Sequence, residues 1–158
     1  MQTSIWKGFS FGLTSSIITT LGLIIGLNST SHSKLVVLGG IIVIAIADSL
    51  SDSLAMHISE ESESIHTIQQ TWSAAFSTFF SKAIFALSFI IPVLMFELNI
   101  AIIASIIWGL LVLSLLSFFI AKKEKTNPLN AIFSHLSIAV IVIIVSHYIG
   151  ILVNLILV

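Results

Sequence analysis

The sequence contains no cysteine and no arginine, and only 8% of its 158 residues are charged. Without cysteine there is no disulfide framework, no Cys-ligated zinc site and no thiol nucleophile. All six basic residues are lysines, and they form no basic patch that could meet phosphates, so nucleic acid is excluded as a partner. A soluble domain carries about 25% charged residues on average. Six lysines and seven acidic residues cannot solvate a globule of this size, which excludes a soluble enzyme. What the chain has instead is 57% hydrophobic residues and a mean hydropathy of +1.16. Those values point to an all-α integral membrane protein, read as one transmembrane domain over residues 1–158.

A helix needs about 20 mostly apolar residues to cross ~30 Å of hydrocarbon at ~1.5 Å per residue. Five stretches qualify: about 8–27, 35–58, 74–96, 100–121 and 131–157. The connectors between them are short and polar, so consecutive spans run antiparallel in an up-and-down bundle. The long unbroken apolar runs do not fit the alternating strands of a membrane barrel. Lys7 ahead of an apolar run loosely resembles a signal peptide, but the run is longer than such a segment and no small-residue cleavage site follows, so the first span is expected to stay. Pro92 marks a kink or boundary near the end of the third span.

Lysine placement sets the expected orientation. Lys7, Lys122, Lys123 and Lys125 fall on one side and only Lys34 on the other, which puts the N-terminus in the cytoplasm and the C-terminus outside. Gly22 and Gly26 form a G-x-x-x-G pair, and Gly8, Gly12, Ser16 and Thr20 form a second small-residue row. Such rows let helices approach closely, either within one subunit or between two copies, and Gly22 and Gly26 are assigned to dimer packing.

A charge inside a span is costly, about 2.5–3.5 kcal/mol per central acidic or basic residue on insertion scales. This chain nevertheless places Asp48 and Asp52 in the second span and Lys82 in the third. At ~100° per residue, Asp48, Asp52, Met56, Glu60 and Glu63 share an arc of roughly 120°. They form one stripe from mid-membrane to the cytoplasmic surface. Carboxylates suit hard divalent cations and a thioether favours softer transition metals, so these five residues are the expected metal ligands. Glu60, Glu61 and Glu63 would concentrate cations at the mouth. Asp52, then Asp48, is the expected proton-coupling group. Lys82 is a candidate counter-ion, and His57 and Glu61 are secondary candidates. His32, His66, His135 and His147 lack the i, i+4 partnership of a zinc helix and are expected at interfaces or helix contacts. The structural alternative for the acids is that they bond neighbouring serines or pair with Lys82.

Two segments resemble the vacuolar iron transporter family. Ser15-Ser16-Ile17-Ile18-Thr19-Thr20 through Gly22 and Gly26 is similar to its first-span motif, Asp-Gly-x-x-Thr-Thr followed by small residues and Gly. Ala47-Asp48-Ser49-Leu50-Ser51, with Ser59 and Ser62-Glu63, is similar to its second-span motif. His147-Tyr148-Ile149-Gly150 is a weaker match to the end of the fifth span. Three positions depart from the pattern: the first-span Asp is Ser15, the second-span Met is Asp52, and the following Glu is Met56. Only Ser59–Ser73 separates spans two and three, so the helical cytoplasmic insertion of eukaryotic members is absent or reduced to the helix end itself. The resemblance implies a homodimer that exports Fe2+ or Mn2+ from the cytoplasm in exchange for protons, with no permanently bound cofactor.

The expected function is therefore a proton-coupled divalent-metal exporter. It would sit in the plasma membrane of a prokaryote, or in a vacuolar or other organelle membrane of a eukaryote. The alternative is a non-transporting membrane scaffold or subunit whose acids are structural. No nucleophile–base set suggests an enzyme.

Overall fold

The computed structural model describes residues 2–63 and 65–157 and is built from helices. In chain order they are α1 (Gln2–Ser31), α2 (Lys34–Ser62), α3 (Ile68–Ser88), α4 (Ile90–Met95), α5 (Leu98–Lys123) and α6 (Pro128–Leu157). With α3 and α4 counted as one span over Ile68–Met95, five helices among the described residues are long and apolar enough to cross a membrane. This agrees with the five-span, all-α reading of a multi-pass membrane protein.

The helices run past the ends expected from hydropathy, because hydropathy marks the hydrocarbon layer and not where helical hydrogen bonding stops. The connector expected over 59–73 contracts most. Its first four residues continue α2, and α3 begins at Ile68, where Thr67 and Gln70 cap each other's backbone N–H groups in a capping box. At the other end of the bundle α1 turns into α2 through His32 and Ser33 alone. His32 takes a left-handed conformation (φ 49°), and the Ser33 hydroxyl caps α2 at Val36. Asn127 caps α6 in the same way, accepting from the Leu129 N–H at 3.0 Å.

The third span breaks at Phe89, between α3 and α4. Pro92 has no N–H to offer the carbonyl one turn earlier, and its ring crowds that turn. The freed end of the span is closed by Lys34, which donates to the carbonyls of Leu94 (3.2 Å) and Phe96 (3.0 Å).

The first helix is central and packs against α2, α3, α5 and α6. Its Leu13, Ile17, Leu21 and Ile24 form the core with Val37 and Ile41 of α2, Phe89, Val93 of α4 and Leu113 and Leu116 of α5. In contrast, Ile103, Ile107, Leu111 and Leu115 form an exposed apolar row along α5 at four-residue spacing, and α6 exposes Ile141, Val145, Tyr148 and Leu152. Such surfaces suit hydrocarbon and would be unsuited to water.

The glycines correct one expectation. A side chain at Gly22 would meet Val142 and Ser146 of α6, and Gly26 faces the Ser146 backbone. The pair assigned to dimer packing therefore seats α6 on α1 within one chain. Gly8 and Gly12 do the same for α3: a Cβ at Gly12 would lie 2.6 Å from the Thr78 carbonyl oxygen.

Candidate functional site

The central residue of α2 is Asp48, and Asp52 follows one turn later. Lys82 stands near the middle of the third span, and Ser15 near the middle of α1. Antiparallel packing brings these four side chains to one depth. Lys82 is 1% exposed, and its ammonium lies 2.5 Å from Asp48 Oδ2 in an ion pair. The same ammonium donates to Asp52 Oδ2 and, at 2.9 Å, to the Ser15 hydroxyl. Ser15 in turn donates to Asp52 Oδ2 at 2.7 Å. The neighbouring Ser16 donates to the Lys82 carbonyl at 2.9 Å, which fixes the lysine backbone against α1.

The aspartates are not sealed. Asp48 is 31% exposed and Asp52 22%. Asp48 borders a lateral crevice of about 740 Å3 between α1 and α2, whose walls include Thr19, Leu23, Leu27, Gly40 and Ser51. Asp48, Thr19 and Ser51 are the polar residues in an otherwise apolar lining.

Two turns along α2 from Asp52, a second ionic cluster forms at the end of the bundle. Glu60 is fully buried and ion-paired with Lys7 of α1. Lys7 also donates to Glu63 Oε1 at 3.1 Å. His66 Nε2 lies 3.0 Å from Glu63 Oε2 and 3.7 Å from Glu60 Oε2. Ligand atoms of Glu60, Glu63 and His66 all lie within 4.8 Å of one another. They open onto a cavity of about 810 Å3 that also includes Lys123, Glu124 and His135. The Lys7 ammonium, and then His66, hold the Glu63 carboxyl below the usual carboxylate range.

The stripe expected along α2 thus divides in two. Asp48 and Asp52 belong to the mid-span cluster, and Glu60 and Glu63 to the end cluster. Met56 lies between them, buried in the packing. Asp52 does not line the large end cavity. His57 and Glu61 point away from both clusters. The His57 ring rests 4.4 Å from the Trp72 ring of α3, and its Nε2 is 3.9 Å from the exposed Glu61 carboxylate. Two further histidines make helix contacts: His147 Nδ1 with Ser29 Oγ at 2.7 Å, and His135 Nδ1 with Ser117 Oγ at 2.7 Å.

Three participants are absent from the sequence-based site: Ser15 as a hydrogen-bonding member, Lys7 and His66. The up-and-down order carries the signal for Lys7, because it sets the start of the first span beside the end of the second. For Ser15 the signal is its place in the first span, where the resembled motif has Asp.

No protein-family model matches the chain, and no curated protein sequence matches it either.

Proposed function

We propose that the protein is a carrier that moves a divalent transition-metal ion, iron or manganese, out of the cytoplasm in exchange for protons. The observation that carries this reading is the convergence of Asp48 and Asp52 on a single cationic position at mid-span. Two carboxylates and a hydroxyl around one positive charge are a donor set that suits a hard divalent ion, with Lys82 standing where the ion would bind. Isolated acids at this depth are costly, and membrane-embedded ionisable groups mark ion and proton pathways. Export of a 2+ ion against an interior-negative potential of about 100 mV costs about 4.6 kcal/mol. The chain has no nucleotide-binding motif, so inward proton flow supplies that energy, with Asp52 and then Asp48 as the group that alternates between proton and metal.

In this reading the lysine-rich end of the bundle faces the cytoplasm, and Glu60, Glu63 and His66 gather cations in the end cavity. The resemblance to the vacuolar iron transporters supports the same function and a homodimer. Ser15 stands where their motif has Asp, and it is Ser15 that joins the cluster here. The paired copies would meet through a surface other than Gly22–Gly26.

A second reading has its own observation: Lys82 already pairs with both acids and Ser15 bonds Asp52, as they would in a non-transporting scaffold or subunit. Reconstitution into proteoliposomes separates the two. The carrier moves Mn2+ or Fe2+ with counter-flow of protons, and Asp52→Asn abolishes that flux. If Asp52→Asn transports as well as the parent, or the parent transports neither ion, the carrier reading fails. Mn2+ should also raise the melting temperature of the purified carrier, whereas a scaffold would not respond.

A further inference from the structure

We infer that Lys82 is a selectivity residue: its tethered ammonium excludes monovalent cations from the Asp48–Asp52 position and yields only to a divalent ion. The inference deepens the carrier reading and rests on it for the identity of the transported ion. The lysine is 1% exposed and held at both its carbonyl and its ammonium. Its ammonium is therefore presented to the carboxylates as an intramolecular ligand, at an effective concentration that a free ion must exceed. A sodium or potassium ion carries the same unit charge as the ammonium. It would have to shed its water to reach the carboxylates and would gain no electrostatic advantage over the group it replaces. A divalent ion interacts with each carboxylate twice as strongly at equal distance. Displacing the ammonium forfeits the lysine's own ion pairs, so only a cation of higher charge than the lysine recovers that loss. Selectivity by valence follows from the presence of the internal cation, without a cavity shaped for one ion.

The test uses the purified full-length protein in detergent, with NaCl or KCl compared against choline chloride at equal ionic strength. The parent should show no Na+- or K+-specific change in melting temperature. Lys82→Met should show a saturable rise, roughly 3–6 °C at about ten times the dissociation constant. Lys82→Arg keeps a tethered cation and should behave as the parent. If Lys82→Met folds without that rise, or the parent shows the same rise, the inference is overturned. If Lys82→Met does not fold, Mn2+ flux through the parent decides. Flux unaffected by a large excess of K+ over choline supports exclusion, and K+-specific inhibition overturns it. A parent that ignores Mn2+ while Lys82→Met takes up Na+ would defeat the carrier reading and leave the exclusion standing.

Discussion

Replacing Lys82 with methionine removes the one cation shared by Asp48 and Asp52 while keeping much of the side-chain volume. Lys82 is buried, and its two partners are 31% and 22% exposed, so most of the surface of both carboxylates is covered by protein. Removing one partner of a buried ion pair costs about 3–5 kcal/mol. The two like charges one turn apart on α2 add to that cost, while partial exposure of Asp48 offsets some of it. A loss of about 3–5 kcal/mol is therefore expected for Lys82→Met. Asp48→Asn alone should cost less, because Lys82 keeps Asp52 and Ser15. The triple variant Lys82→Met, Asp48→Asn, Asp52→Asn leaves no charge at the mid-span position and should recover most of the loss, since neutral replacements of buried ion pairs are often tolerated. Reversible unfolding of the purified protein in mixed micelles, with chelator present, measures all three. A loss below about 1 kcal/mol for Lys82→Met, or a triple variant no more stable than the single one, would refute the reasoning that the lysine is held by charge.

Other perturbations read the packing and the end cluster. Gly12→Ala should loosen α1 from α3 and destabilise by about 1–3 kcal/mol, because a Cβ would press on the Thr78 backbone. Gly39→Ala, with open space around it, should be neutral or stabilising by about 0.5–1 kcal/mol, and comparing the two in the same unfolding assay checks the packing argument. Glu63 has a folded pKa below the ordinary 4.5, so its ion pair stabilises fully above that value and the contribution disappears as pH falls through the folded pKa. The thermal-stability gap between the parent and Glu63→Gln should accordingly narrow as pH falls below 4.5, and a gap that widens in acid would contradict the assignment.

The five spans were legible because hydropathy and length decide them, and the depth of Asp48, Asp52 and Lys82 was legible because charge stands out in an apolar chain. The ends of the helices were less so. Gln69, Gln70 and Thr71 lower the hydropathy at the start of α3, although the Thr67-x-x-Gln70 spacing carries the capping signal that starts the helix there. The split of the α2 stripe was also hidden. Helical periodicity places Asp52 and Glu60 on one face, but only the neighbouring helices decide that Asp52 meets Lys82 and Glu60 meets Lys7. The glycine pair illustrates the same limit: G-x-x-x-G spacing marks a close contact without saying whether the partner helix belongs to the same chain, and here it is α6.

Adjacent residues of a single helix grip Lys82 at opposite ends, Ser16 at the main chain and Ser15 at the side-chain tip. One helical residue corresponds to a rise of about 1.5 Å, and a slip of α1 by that amount would stretch both hydrogen bonds together. With Gly12 pressed against the α3 backbone on the same stretch, the two helices slide as one piece or not at all. Asp48 and Asp52 reach that joined pair from α2, which is itself fastened to α3 by the Lys82 ion pairs and by the Ser53 hydroxyl on the Ala75 carbonyl, so the ionic cluster ties three helices together.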